Sequence, residues 1–198
     1  GLRWNELWKD IWRVLKPNGC VVLHSTQRFT MRLCTSQIKH FKYKWIWKKN
    51  RITNFFHAKK QPLRTHEDIC VFYKKRPIYN PQMIGDKWYK KRMVKFGGKQ
   101  EYYGKDKKHK DNWGFETDKG GHRGNYPKDI LYFDVKKSKK NVNDASTRPI
   151  ELVEYIIKTY SNENDNVLDI TCYDAITGKV CEKLNRKYTG IDLNIINI

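Results

Sequence analysis

Two short segments near the C-terminus have the spacing of a nucleotide-binding turn. Asn166-Val167-Leu168-Asp169-Ile170 is an apolar run with an acid at its end. A loop comes next, then the helical stretch Gly178 to Leu184, then Tyr188-Thr189-Gly190-Ile191-Asp192, a second run ending in an acid. Strand, loop, helix and strand-acid make half of a Rossmann-like nucleotide fold. In such a unit the loop cradles a polar ligand and the second acid accepts hydrogen bonds from ribose hydroxyls. Asp169 and Asp192 are therefore the candidate cofactor-binding residues, as vestiges of such a site. The plainer reading is that both acids merely end their strands and cap the turns after them.

The other residues that could do chemistry are cations. The 198 residues carry 41 Lys and Arg against 21 Asp and Glu, a formal net charge of +20. That surplus makes the folded chain repel itself and strengthens every contact with phosphate. From Lys87 to Lys110 ten Lys or Arg stand against two acids, with Trp88, Tyr89, Phe96, Tyr102, Tyr103 and, just beyond, Trp113 among them. Cations interleaved with aromatics suit phosphate contact plus base stacking. Lys87, Lys90, Lys91, Arg92, Lys95, Lys105, Lys107, Lys108 and Lys110 are candidate DNA contacts, with Arg123 beyond them. Lys59, Lys60 and Arg64, with His66, form a second basic group before a strand, for which a solvated surface is an equal reading. Lys136 to Lys140 reads as a flexible basic loop.

Other chemistries find little support. Five cysteines, at 20, 34, 70, 172 and 181, form no CxxC pair, and the number is odd. A disulfide framework or a zinc site is not expected, and a reducing compartment suits the chain. The six histidines show no metal-ligand spacing. No run of 18 or more apolar residues exists, so no membrane span is expected. The opening Gly1-Leu2-Arg3-Trp4 has no signal-peptide pattern, and a cytoplasmic place, nucleoid-associated or nuclear if DNA-bound, is expected.

The elements that must position these residues emerge from periodicity. Leu7, Trp8, Ile11, Trp12, Val14 and Leu15 recur at helical spacing, and Lys16-Pro17-Asn18-Gly19 stops that helix. Cys20 to His24 reads as a strand, Phe29 to Ile38 as a helix, Phe41 to Trp47 and Asp68 to Tyr73 as strands. From Pro77 to about Tyr126 no period survives, and the stretch reads as an irregular basic insertion. Asp129 to Val135 suggests a strand. Pro149 to Tyr160 predicts a helix with Leu152, Tyr155, Ile156 and Tyr160 on one face. The order implies an α/β sheet covered by helices.

The segments from Pro149 to Ser161, from Asn166 to Asp169 and from Cys181 to Asn194 resemble the cofactor-binding half of DNA adenine-N6 or cytosine-N4 methyltransferases. The similarity is to the branch whose catalytic half comes first. Arg13 to Gly19, Ser25 to Thr30, Trp45 to Lys49, Thr65 to Lys74 and Tyr79 to Met83 match the segments after that family's catalytic tetrad, in the right order. The resemblance implies a Rossmann-like methyltransferase sheet with helices on both faces, S-adenosylmethionine as methyl donor, DNA as substrate and the basic insertion as target-recognition region.

The departures fall on ligand-contacting positions. The family's tetrad, an acidic or polar residue followed by Pro-Pro and an aromatic, would lie just upstream of Trp4, and no substitute occurs in the chain. The family's donor loop reads roughly Asp-Pro-Phe-x-Gly-Ser-Gly-Thr-Thr. Asp169 to Thr177 aligns with it, and Tyr173 and Ala175 replace the two glycines. Glycine in such a loop permits unusual backbone angles and close approach of the ligand. Where the family favours His-Pro-Thr-Gln-Lys-Pro, this chain has Asp144-Ala145-Ser146-Thr147-Arg148-Pro149. Three regions are expected: 1–76, a partial catalytic half; 77–126, the basic insertion; and 127–198, a degenerate cofactor half. The function expected is binding of DNA, as a duplex, without methylation, with no catalytic residues, no metal and no cofactor. Two alternatives stay open: an S-adenosylmethionine-dependent amino-methyltransferase whose tetrad lies outside the chain, and a module that binds another protein.

Overall fold

A computed structural model describes residues 3–89, 122–135, 148–172 and 175–192. The chain forms two compact units, one made of Gly1–Gln82 with Lys128–Ile198 and a smaller one of Met83–Pro127. The larger unit runs α1 (Trp4–Val14), β1 (Val21–Ser25), α2 (Gln27–Ser36), β2 (Phe41–Thr53), a single 3-10 turn (Phe55–His57) and β3 (Arg64–Phe72). After the smaller unit, with β4 (Ile84–Tyr89) and β5 (His122–Asn125), it resumes with β6 (Ile130–Tyr132), α3 (Ile150–Tyr160), β7 (Asn166–Asp169), α4 (Ile176–Lys183) and β8 (Lys187–Gly190).

The main sheet has the order β1-β3-β2-β6. β3 is antiparallel to both neighbours, so β1 and β2 run parallel and end on the same side, and β6 runs parallel to β2. Successive side chains of β3 point to opposite faces. Ile69 and Val71 pack with Trp45, Trp47, Leu131 and Leu152. Cys70 and Phe72 pack with Trp8, Ile11 and Leu33. Helices α1 and α2 thus cover one face and α3 the other. A mixed sheet with helices on both faces is what the sequence leads one to expect.

Aromatic polar ends are satisfied at the α3 face. Trp45 Nε1 donates to Tyr160 Oη at 2.7 Å, Tyr43 and Tyr160 hydroxyls meet at 2.9 Å, and Trp47 Nε1 donates to the Phe133 carbonyl at 2.9 Å. Asn80 secures the end of α3, its amide reaching the carbonyls of Lys158 and Ser161 and Asn162 Oδ1 at 3.0–3.2 Å. β7 and β8 form a parallel pair whose core, Val167 and Tyr188 with Ile157, Val180 and Cys181, lies between α3 and α4.

Two expectations need correction. β2 continues six residues past Trp47, through the basic stretch Lys48 to Thr53. The region read as irregular contains the antiparallel pair β4–β5. Its signal is glycine rather than alternation. Gly85 and Gly124 have φ of 77° and 80°, and a β-carbon on Gly124 would stand 2.6 Å from the Gly85 carbonyl.

Leu152 is fully buried where α3 meets the sheet. Leu152→Ala is expected to cost about 3 kcal/mol, read as a lower urea midpoint with an unchanged slope.

Candidate cofactor turn and basic interface

Asp169 ends β7 and faces Gly190 in the β7–β8 register. Its Oδ1 accepts from the Thr171 amide at 3.0 Å, and its carbonyl accepts from the Ile191 amide at 2.8 Å. The Cys172 amide reaches back to the Ile191 carbonyl at 3.1 Å, which ties the loop after β7 to the residue before Asp192. Asp169 and Asp192 are thus brought to one end of the β7–β8 ladder. Gly190 has no room for a side chain, since a β-carbon would stand 2.5 Å from the Tyr188 hydroxyl and 2.8 Å from Cys172 Sγ. Burial raises the pKa of that hydroxyl.

Ala175 starts α4 in the left-handed conformation, φ 52° and ψ 17°, and is buried. The backbone keeps there a geometry suited to glycine although the residue is alanine, at a cost of about 1–2 kcal/mol. Tyr173 and Asp174 lie outside the described residues. Among the described residues four further non-glycine residues have positive φ: Gln27 (46°) and Asn54 (60°), just after the ends of β1 and β2, and Asn164 (65°) and Asn185 (57°), just before β7 and β8.

A buried charged cluster lies beside the start of α3. Lys49 Nζ, buried, donates to half-buried Glu67 Oε1 at 2.6 Å, and Arg148 Nη2 approaches Glu67 Oε2 at 4.0 Å. His24 stands edge-on to Trp47 with ring centroids 6.4 Å apart. Its Nδ1 is buried and has no hydrogen-bond partner among the described residues. Burial, with the positive charge of Arg148 nearby, lowers its pKa from 6.5 to about 3. On the opposite face, buried Asp68 accepts from Thr30 Oγ1 and Lys44 Nζ, both at 2.8 Å. None of this was legible in the sequence, because every pair is non-local.

The predicted DNA contacts divide. Lys59 and Lys60 are exposed on the connection between β2 and β3, and Arg64 opens β3. Arg64 is held by Thr53, Nε to Oγ1 at 3.0 Å, and by Gln27, Nη1 to Oε1 at 3.5 Å. Lys87 and Arg123 are exposed on β4 and β5 of the smaller unit. Lys90, Lys91, Arg92, Lys95, Lys105, Lys107, Lys108 and Lys110 lie outside the described residues. Sequence reasoning missed the start of α2, where Arg28, Phe29 and Arg32 line an open recess of about 280 Å³. It also missed Phe55 and Phe56, which stand exposed beside Lys59 and Lys60. Among the described residues no group of His, Cys, Asp and Glu could hold a metal ion, and no helix is long and apolar enough to cross a membrane.

Comparison with known proteins gives one consistent answer. The DNA methylase family model for N6 and N4 enzymes matches residues 2–196. Type II methyltransferase M1.MboII of Moraxella bovis is 33% identical over 73 residues, which are 33% of this chain and 28% of that protein. The chain therefore spans little more than a quarter of that curated relative. The crystal structure of the M1.HpyAVI–SAM complex superposes with a TM-score of 0.58 at 20% identity, over 98% of this chain and 78% of that one. The PvuII DNA methyltransferase (cytosine-N4-specific) superposes with a TM-score of 0.60 at 14% identity, over 98% and 68%. At these identities the structural likeness is one of fold.

The His24 environment has a pH signature. Its folded pKa lies below the unfolded value of 6.5, so the stability it contributes is complete above pH 6.5 and is lost as the pH falls towards 3. Urea unfolding at pH 7 and pH 5 should show a loss on the order of 1 kcal/mol per pH unit that His24→Leu removes. An equal pH dependence in that variant would refute the assignment.

Proposed function

Because the chain belongs to the N6/N4 DNA methylase family, we propose that it is a DNA-binding protein on a methyltransferase scaffold that does not itself transfer methyl groups. One observation carries the binding half. Residues 11–66 hold thirteen Lys and Arg and not one Asp or Glu. The first acids after that run, Glu67 and Asp68, are taken up by Lys49 and Lys44. Lys59 and Lys60 face solvent with no ion pair among the described residues. A surface of this sign gains affinity for duplex DNA by releasing the counterions condensed on its phosphates.

The non-methylating half rests on the donor loop. S-adenosylmethionine, when bound to such a turn, supplies an electrophilic methyl group. Asp192, after β8, is suited to the ribose hydroxyls, and Gly190 is retained. Against these stand Tyr173 and Ala175 where backbone must approach the ligand closely, and Asp169, whose Oδ1 is already engaged by Thr171 N. The fit is incomplete. A working S-adenosylmethionine-dependent amino-methyltransferase is the second reading, favoured by the left-handed turn that Ala175 preserves.

Both halves are measurable. Gel retardation of duplex DNA at several salt concentrations should give log K falling linearly with log salt, with a slope of about −0.9 per phosphate neutralised. Lys59→Gln/Lys60→Gln should flatten the slope by about one unit or more. Absence of retardation, with a salt-insensitive complex with a protein instead, sinks the DNA-binding reading. Calorimetry with S-adenosylmethionine should show no tight binding, and labelled methyl transfer to DNA should stay at background. Tight cofactor binding overturns the non-methylating half.

A further inference from the structure

The connection between β2 and β3 is ordered by its own hydrogen bonds. Asn54 adopts the left-handed conformation, its Oδ1 accepts from the Arg64 amide at 2.8 Å, and its Nδ2 donates to the Pro62 carbonyl at 3.5 Å. The His57 amide donates to the Asn54 carbonyl at 2.9 Å, and the Lys60 and Gln61 amides both donate to the His57 carbonyl, at 2.8 and 3.0 Å. Thr53 Oγ1 donates to the Arg64 carbonyl at 3.2 Å and closes the base. On this frame Phe55 is 73% exposed and Phe56 is 101% exposed. Two adjacent phenyl rings are thus held in water by a structured loop. Burying either would be favourable, and the fold leaves both outside.

The surroundings identify what would cover them. Lys59 and Lys60 stand within four residues of Phe56, and the loop hangs inside the acid-free run 11–66. It projects from the edge where β1 and β2 both end, and Arg64 links it to the first residue of α2 through Gln27. A protein partner for two phenylalanines would itself be apolar, and nothing in Lys59 and Lys60 beside them selects for that. A polyanion with flat apolar faces between its charges matches both features. Apolar wedges that part a base step while cations hold the flanking phosphates have this composition.

We propose that the β2–β3 tip is a wedge: Phe55 and Phe56 enter duplex DNA and stack on bases at an opened step, while Lys59 and Lys60 hold the adjoining phosphates. This rests on the DNA-binding reading and gives it a point of entry into the duplex. Phe56 is fully exposed and Phe55 largely so, so the single Phe56→Ser and Phe55→Ser/Phe56→Ser are expected to fold as the parent does, with a thermal midpoint close to its own.

The test uses duplexes carrying 2-aminopurine, whose fluorescence rises when it unstacks, and anisotropy titrations over a salt series. The parent chain should raise the fluorescence on binding. Phe55→Ser/Phe56→Ser should lose that rise and bind duplex about tenfold or more weakly, with the salt slope unchanged, and Phe56→Ser should fall between. Lys59→Gln/Lys60→Gln should change the slope. Salt-dependent binding by the parent together with parent-like affinity and fluorescence in the phenylalanine variants overturns the wedge and leaves DNA binding standing. A signal confined to single-stranded DNA, with duplex affinity unaffected by the substitutions, also overturns it. Failure of the parent to bind duplex at any salt concentration overturns both.

Discussion

Strand β3 is hydrogen-bonded along both edges and buried on both faces, and its register decides where everything else in the larger unit can go. A slip of one residue would exchange its faces. Ile69 and Val71 would then meet α1 and α2, and Cys70 and Phe72 would meet α3. The same alternation sorts the two adjacent acids. Glu67 shares a face with Ile69 and meets Lys49 and Arg148 beside α3, while Asp68 shares a face with Cys70 and meets Thr30 and Lys44. Each acid would lose its partners in the shifted register. Leaving a buried carboxylate uncompensated costs about 3–5 kcal/mol, so the polar pairs and the apolar faces oppose the same slip.

That arrangement shapes the charge of the surface. The sheet places two carboxylates against two of its own lysines and withdraws both from solvent competition. The outward side along the β1 and β2 carboxyl ends is therefore cationic, from Arg28 and Arg32 on α2 to Lys59 and Lys60 on the tip. The strained residues Gln27 and Asn54 occupy that edge. Packing needs and ligand-facing loops are kept on different parts of the same strands, which is the usual division of labour in open α/β sheets.

How much could be read in advance depends on whether a signal is local. The helix Ile150–Tyr160 was legible because its apolar residues recur on one face and a proline precedes it. β3 was legible as an apolar run, and the resemblance to DNA methyltransferases supplied the order of the elements. Residues defined by distant partners were not legible: His24 beside Trp47 and Arg148, or Asn80 against the end of α3. Phe55 and Phe56 carried no signal in the sequence, and only the fold shows that they face water. β4 and β5 escaped because Gly85 serves a positive φ and Gly124 a close backbone approach, and neither leaves an alternation to detect. Ala175 was legible as a lost glycine, but the left-handed angles it retains were not.

Asn54 has a consequence for the timing of costs. Its side-chain amide spans the ten residues between β2 and β3 and fixes them before any partner arrives. Fixing a backbone residue costs about 1–2 kcal/mol of conformational entropy. For this tip that cost falls within folding and is offset by the sheet beneath it. A loop of the same composition without the amide bridge would lose the same freedom at each encounter, and its affinity would be lower by that amount. One asparagine in a left-handed turn thus moves an entropic charge from every binding event to the single event of folding.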